Sequence, residues 1–125
     1  MLNLNNNCRP SGYQLINYKR WAFYLQVDSY SAFFNNGGFE QTELDAKFRA
    51  LNITDVYVVG IALDYCVFYS SLDAKKLGYE TFVIKDATRG ITEAGMEHAI
   101  KTMEEAGIEI ISSDALLTSY KNTEL

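Results

Sequence analysis

Val56-Tyr-Val-Val-Gly60-Ile-Ala-Leu-Asp-Tyr-Cys66 is an apolar run that stops at a glycine and delivers a lone cysteine shortly afterwards. Val56 to Val59 favour an extended chain and suit a central parallel strand covered on both faces. Gly60 tolerates backbone angles that a Cβ would resist, so the chain can turn sharply at the strand's carboxyl end. From about Asp64 onward, Val67, Ser70, Ser71, Ala74 and Leu77 follow helical spacing, and Gly78 stands where a left-handed C-cap would close the helix. Cys66 thus falls at a helix N-terminus, where unpaired N–H groups and the positive end of the dipole favour a thiolate. Open α/β sheets bind ligands at the carboxyl ends of their strands, which makes Cys66 the candidate nucleophile. The plainer alternative is an inert packing thiol, the commoner state of a free cysteine.

Downstream, Thr81-Phe-Val-Ile84 reads as a second buried strand ending at Lys85-Asp86. Thr92 can cap a helix with an apolar face of Met96, Ala99, Ile100 and Met103, closed by Gly107. Ile108 to Ile111 is a last strand, and Ser112-Ser-Asp114 opens a short final helix. Upstream, Thr42 and Asp45 have capping-box spacing before Leu44, Phe48 and Leu51, and Asn52 can terminate that helix. Asp28-Ser-Tyr-Ser-Ala-Phe-Phe-Asn-Asn-Gly-Gly38 reads as a loop closing in a turn. Residues 1–27 are an asparagine-rich, irregular lead-in, with a short strand at Tyr13 to Tyr18; residues 28–125 form the domain. Strands alternating with helices over short connections imply parallel pairing and right-handed crossovers. Three strands, or four with Tyr13 to Tyr18, are few for such a sheet, so the domain is expected to be partial.

With 125 residues there is room for one modest core, and 48% hydrophobic residues exclude a disordered chain. The net charge of -5 argues against nucleic acid or an anionic membrane as partner. Cys8 and Cys66 lie in unlike contexts, so neither a disulfide framework nor a metal-ligand pair is visible. The amino terminus lacks the basic and apolar regions of a signal peptide, and Asp64 interrupts the best apolar run. A soluble, cytoplasmic protein is expected.

Five segments carry a resemblance. They are Asp28-Ser-Tyr-Ser-Ala-Phe33; Ile53-Thr-Asp-Val-Tyr-Val-Val-Gly60 leading into Ala62-Leu-Asp-Tyr-Cys66-Val67; Leu72-Asp-Ala74; Gly78-Tyr79; and Asp86-Ala-Thr-Arg-Gly90. In this order they resemble the nicotinamidases, within the isochorismatase-like cysteine hydrolases. The resemblance implies an α/β fold, a three-layer sandwich with a parallel sheet, represented here by its carboxyl-terminal half. It implies that the Cys66 thiolate attacks the carboxamide of nicotinamide, that ammonia leaves, and that water hydrolyses the thioester to nicotinic acid, a step of NAD salvage. Ala62 and Cys66 N–H groups would form the oxyanion hole, with a cis peptide between Ile61 and Ala62. Tyr30 and Phe33 become candidates for contact with the aromatic ring; ordinary core filling is the alternative for both.

The departures from the family are as informative. Its amino-terminal half carries a catalytic aspartate on the first strand, and an Asp-x-His segment with a second histidine that holds a divalent metal such as zinc. No aspartate precedes residue 28, and His98 is the single histidine, on the polar side of its helix. No metal is therefore expected in this chain. The family's third catalytic group is a lysine at a strand end; Lys19, in Ile16-Asn-Tyr-Lys19-Arg20, is the candidate, against an ordinary exposed lysine. Without an acid the leaving amine cannot be protonated, so the chain is expected to be weakly active or inactive. Two alternatives stand beside this reading: a non-catalytic fragment or isoform that binds a partner or full-length subunits, as a homo- or hetero-oligomer, and a related cysteine hydrolase of another small amide.

Overall fold

A computed structural model of the chain describes residues 29–36 and 38–123. The lead-in of residues 1–27, with the expected strand at Tyr13 to Tyr18, Cys8 and Lys19, lies outside them. In order, the elements are α1 (Leu44–Ala50), β1 (Asp55–Ile61), a π turn (Leu63–Val67), α2 (Phe68–Lys76), β2 (Glu80–Arg89), α3 (Glu93–Glu105), β3 (Glu109–Ile111) and α4 (Ser113–Thr123). The three strands pair in parallel in the order β1-β2-β3. This is the expected α/β arrangement with helical crossovers.

Helix ends follow the sequence closely. Beyond α1, α2 and α3 the residues Asn52, Gly78 and Gly107 all take positive φ, at 55°, 96° and 82°. In each case the N–H of the next residue reaches back to the last turn: Ile53 to the Phe48 carbonyl, Tyr79 to Ala74 and Ile108 to Met103, at 2.9, 3.1 and 3.0 Å. These are Schellman closures, which need a residue that tolerates the left-handed region and so satisfy orphan carbonyls. Thr92 caps α3 by accepting from the Gly95 N–H at 3.0 Å. At α1 the cap differs from the expected box. Thr42 Oγ1 accepts from Leu44 N–H at 3.2 Å, but the Asp45 carboxylate turns away to bind Tyr79 and Arg49.

β2 is longer than expected. It continues past Ile84 to Arg89, and between Val58 and Gly60 of β1 the pairing jumps from Val83 to Thr88. Two steps along β1 thus match five along β2, and Lys85, Asp86 and Ala87 are exposed in the bulge. Asp86 accepts from the Ser113 backbone N–H at 2.8 Å and from its hydroxyl, which ties the bulge to the start of α4 and holds the Asp86 carboxyl below its usual range.

The expectation that β1 lies centrally with both faces covered is corrected. Among the described residues β1 is an edge strand, and its side chains alternate between half-buried and exposed. Val58 faces the main core of Leu63, Val67, Val83, Ala99, Met103 and Ile108, where α2 and α3 pack on the sheet. Tyr57, Val59 and Ile61 point the other way and are 44%, 53% and 63% exposed. The period-two geometry of a strand sends alternate residues to opposite faces, and no described element covers this one. A second cluster of Phe33, Ala74 and Tyr79, with Phe48, Leu44 and Val56 around it, joins the loop before α1 to α2.

Candidate active site

The expected α-helix at Asp64 is replaced by a wider turn. After the Ile61–Ala62 peptide, which is cis, Ala62 is extended and its carbonyl accepts from both Tyr65 N–H and Val67 N–H, at 3.1 and 3.0 Å. The five-residue span of the second bond makes a π turn, and regular α-helix begins only at Phe68. Leu63 and Val67 are both 3% exposed in the main core. The three residues between them therefore turn outward or to the side: Asp64 and Cys66 are half-buried and Tyr65 is 40% exposed. Cys66 is a free thiol in this turn, two residues before α2 begins at Phe68.

The loop at 29–36, distant in sequence, is brought to this turn by hydrogen bonds. Ala32 N–H donates to Ser70 Oγ of α2 at 3.0 Å, across 38 residues. Thr42 closes the loop from the other side, its hydroxyl donating to the Ala32 carbonyl at 2.6 Å and its N–H to the Phe33 carbonyl at 2.7 Å. The two candidates for ring contact then separate. Tyr30 packs its ring against Tyr65 and Tyr69, with centroids 5.6 and 5.9 Å apart, and stays half exposed beside the cysteine turn. Phe33 is 2% exposed, stacks on Tyr79 and meets Phe48 edge-on. Its place is in the second core, as an apolar side chain filling space, and it presents no surface to a ligand.

A groove of about 480 Å³ lies beside Tyr30, walled also by Ser31, Phe34, Asn35, Tyr69 and Lys76. Cys66 is not among its walls; Tyr30 lines the groove and packs on Tyr65, the residue before the cysteine.

Asp64, where the sequence pattern places the start of a helix, is the most engaged polar side chain of the turn. Its carboxylate accepts from Ile91 N–H at 3.0 and 3.2 Å and from Thr92 N–H at 3.3 Å. No local pattern reveals a contact across 27 residues. Tyr65 and Tyr69 were also missed, although four-residue spacing puts them on one helical face.

Among the described residues no group of three His, Cys, Asp or Glu side chains could hold a metal ion. His98 is exposed on α3, its ring 6.4 Å from that of Phe68. The described residues thus do not fit the family's divalent metal. No helix among them is long and apolar enough to cross a membrane.

Known proteins bear on this arrangement. The nicotinamidase of Escherichia coli K12 is 46% identical over 83 residues, which cover 65% of this chain and 39% of the relative. A protein from L. infantum solved in complex with nicotinate superposes with a TM-score of 0.69 at 32% identity, over 72% of this chain and 45% of that one. The pyrazinamidase of Pyrococcus horikoshii, solved in complex with zinc, gives 0.60 at 36% identity, over 68% and 44%. The chain therefore spans less than half the length of each. The isochorismatase domain profile matches residues 28–115, over half of the chain, and the chain belongs to the isochorismatase family.

Proposed function

We propose that the chain carries the nucleophile half of a nicotinamidase-type site. The observation that supports this best is Cys66 itself, offered by a π turn at the carboxyl end of β1 with the Tyr30 ring packed on the adjacent Tyr65. In the proposed reaction the Cys66 sulfur bonds to the carboxamide carbon of nicotinamide. The carbonyl electron pair moves to oxygen, where Ala62 and Cys66 N–H groups would receive it. Its return breaks the C–N bond, and the nitrogen leaves as ammonia with the proton that the Cys66 thiol gave up; water then cleaves the thioester to nicotinic acid and returns a proton to the sulfur. Tyr30 would lie against the pyridine ring.

The thiol proton must be carried to the leaving nitrogen, and the residues assigned to this site include no carboxyl group or histidine to carry it. Lys19 stays the candidate from the sequence for the third catalytic group. Catalysis by the chain alone is therefore expected to be weak or absent, because nucleophilic attack without general acid leaves the amine a poor leaving group. A second reading, a non-catalytic module that binds a partner or full-length subunits, is favoured by the exposed side chains of Tyr57 and Val59 on one face of β1.

Ammonia release from nicotinamide, with a panel of other small amides beside it, separates the readings. Turnover lost in Cys66→Ala supports the hydrolase, and preference for another amide would move it to a related substrate. No turnover by the folded chain, together with a stable complex with a full-length nicotinamidase, supports the binding module.

A further inference from the structure

We propose that Asp64 is a positioning residue for Cys66, acting through the loop that leads into α3. The proposal rests on the reading of Cys66 as the nucleophile. The Asp64 carboxylate precedes the thiol by two residues in the same π turn and is bound by the Ile91 and Thr92 N–H groups at the open end of α3. A carboxylate at a helix N-terminus is favoured by the unpaired N–H groups and by the dipole. Thr92 Oγ1 is already taken by Gly95 N–H, so side-chain cap and carboxylate divide the helix start between them.

Two glycines leave room for this contact. A Cβ at Gly95 would stand 2.7 Å from both Asp64 Oδ2 and Thr92 Oγ1, and one at Gly90 would stand 3.0 Å from Oδ1 and 2.2 Å from Met96 Cγ. Any larger residue at Gly95 would press on the carboxylate. The turn is thereby fixed at three points. Leu63 and Val67 anchor it below in the main core, and Asp64 anchors it above to a loop 27 residues further on. Cys66 lies between Asp64 and Val67, so its direction depends on both anchors. The proposed chemistry makes no direct use of the Asp64 carboxylate.

The test is the rate at which Cys66 of the full chain reacts with iodoacetamide under native conditions, read by peptide mass and set beside urea unfolding of the same samples. Asp64→Ala is expected to react on the order of tenfold faster, beyond what its change in global unfolding explains, because local opening of the turn exposes the thiol. Asp64→Asn keeps an acceptor oxygen and should return toward the native rate. Both variants lose the negative charge, so a difference between them reports the hydrogen bonds. Gly95→Ala keeps the charge but displaces the carboxylate, and it should react faster too; with Asp64→Asn it decides the matter if Asp64→Ala does not fold. Native rates in Asp64→Ala and Gly95→Ala, equal changes in Asp64→Ala and Asp64→Asn, or labelling strictly in step with global unfolding would each overturn the proposal. Thiol labelling needs no substrate, so its outcome is read separately from whether the chain binds or hydrolyses nicotinamide.

Discussion

Tyr79 and Asp45, 34 residues apart, share a hydrogen bond of 2.6 Å from the phenol to the carboxylate, which joins α1 to the start of β2. Burial, followed by the Asp45 contact, pushes the Tyr79 phenol up to about 12. The same bond, with Arg49 beside it, holds the Asp45 carboxyl below its usual value. The two shifts act at opposite ends of the pH scale. Asp45, depressed in the fold, contributes stability that is present above the ordinary carboxylate pKa and lost as pH falls through its folded value. Tyr79, raised in the fold, contributes stability that is complete below about 10 and lost as pH rises through about 12.

Tyr79→Phe keeps the ring in the second core and removes the bond. A loss of about 1.5 kcal/mol at neutral pH is expected, with less decline in stability above pH 10 than in the native chain. Urea unfolding at a series of pH values checks both, and an unchanged alkaline limb would contradict the assignment.

Ser71 is fully buried on α2, and its hydroxyl has no hydrogen-bond partner among the described residues. Removing an unpaired buried hydroxyl relieves its desolvation, and alanine is the better helix former. Ser71→Ala should therefore raise stability by about 1 kcal/mol. A lower urea midpoint would show that the hydroxyl is satisfied in solution.

Met103 lies at the centre of the main core, fully buried between α3 and the sheet. Met103→Ala should cost about 2–5 kcal/mol, a large share of the stability of so small a core. The fall in urea midpoint measures it. A cost near zero would mean that the sheet is not packed against α3 as described.

Tyr30 is half exposed, and among the described residues its ring meets those of Tyr65 and Tyr69. Tyr30→Ala should lower stability by only about 1 kcal/mol while weakening nicotinate binding, followed by titration. Unchanged binding would remove Tyr30 from the proposed site.

Much of this architecture is legible in short windows of sequence. Asn52, Gly78 and Gly107 end their helices as read, and Thr92 caps α3, because caps depend on residues within a turn of one another. Cys66 is legible for a similar reason: an apolar strand, a glycine and a cysteine lie in one stretch. What escaped depends on distance. Lys85-Asp86 looks like a strand end, yet the chain bulges there and Thr88 returns to pair with Gly60. Asp64 meets Ile91, and Ala32 meets Ser70, only after the helices have packed. Phe33 and Tyr30, three residues apart in one motif, end in a core and on a surface, a difference that follows from Phe48 and Tyr79 closing over one of them.

The central claim, that Cys66 is a nucleophile beside a pyridine-binding surface, is tested most directly with an activated ester of nicotinic acid. Its leaving group needs no proton, so the missing acid does not hide the nucleophile. Mass spectrometry of the folded chain should find one nicotinoyl group on Cys66, formed faster than on Cys8 and more slowly in Tyr30→Ala. Acylation of Cys8 and Cys66 at equal rates, unaffected by Tyr30→Ala, would mean that the turn holds an ordinary thiol and no site.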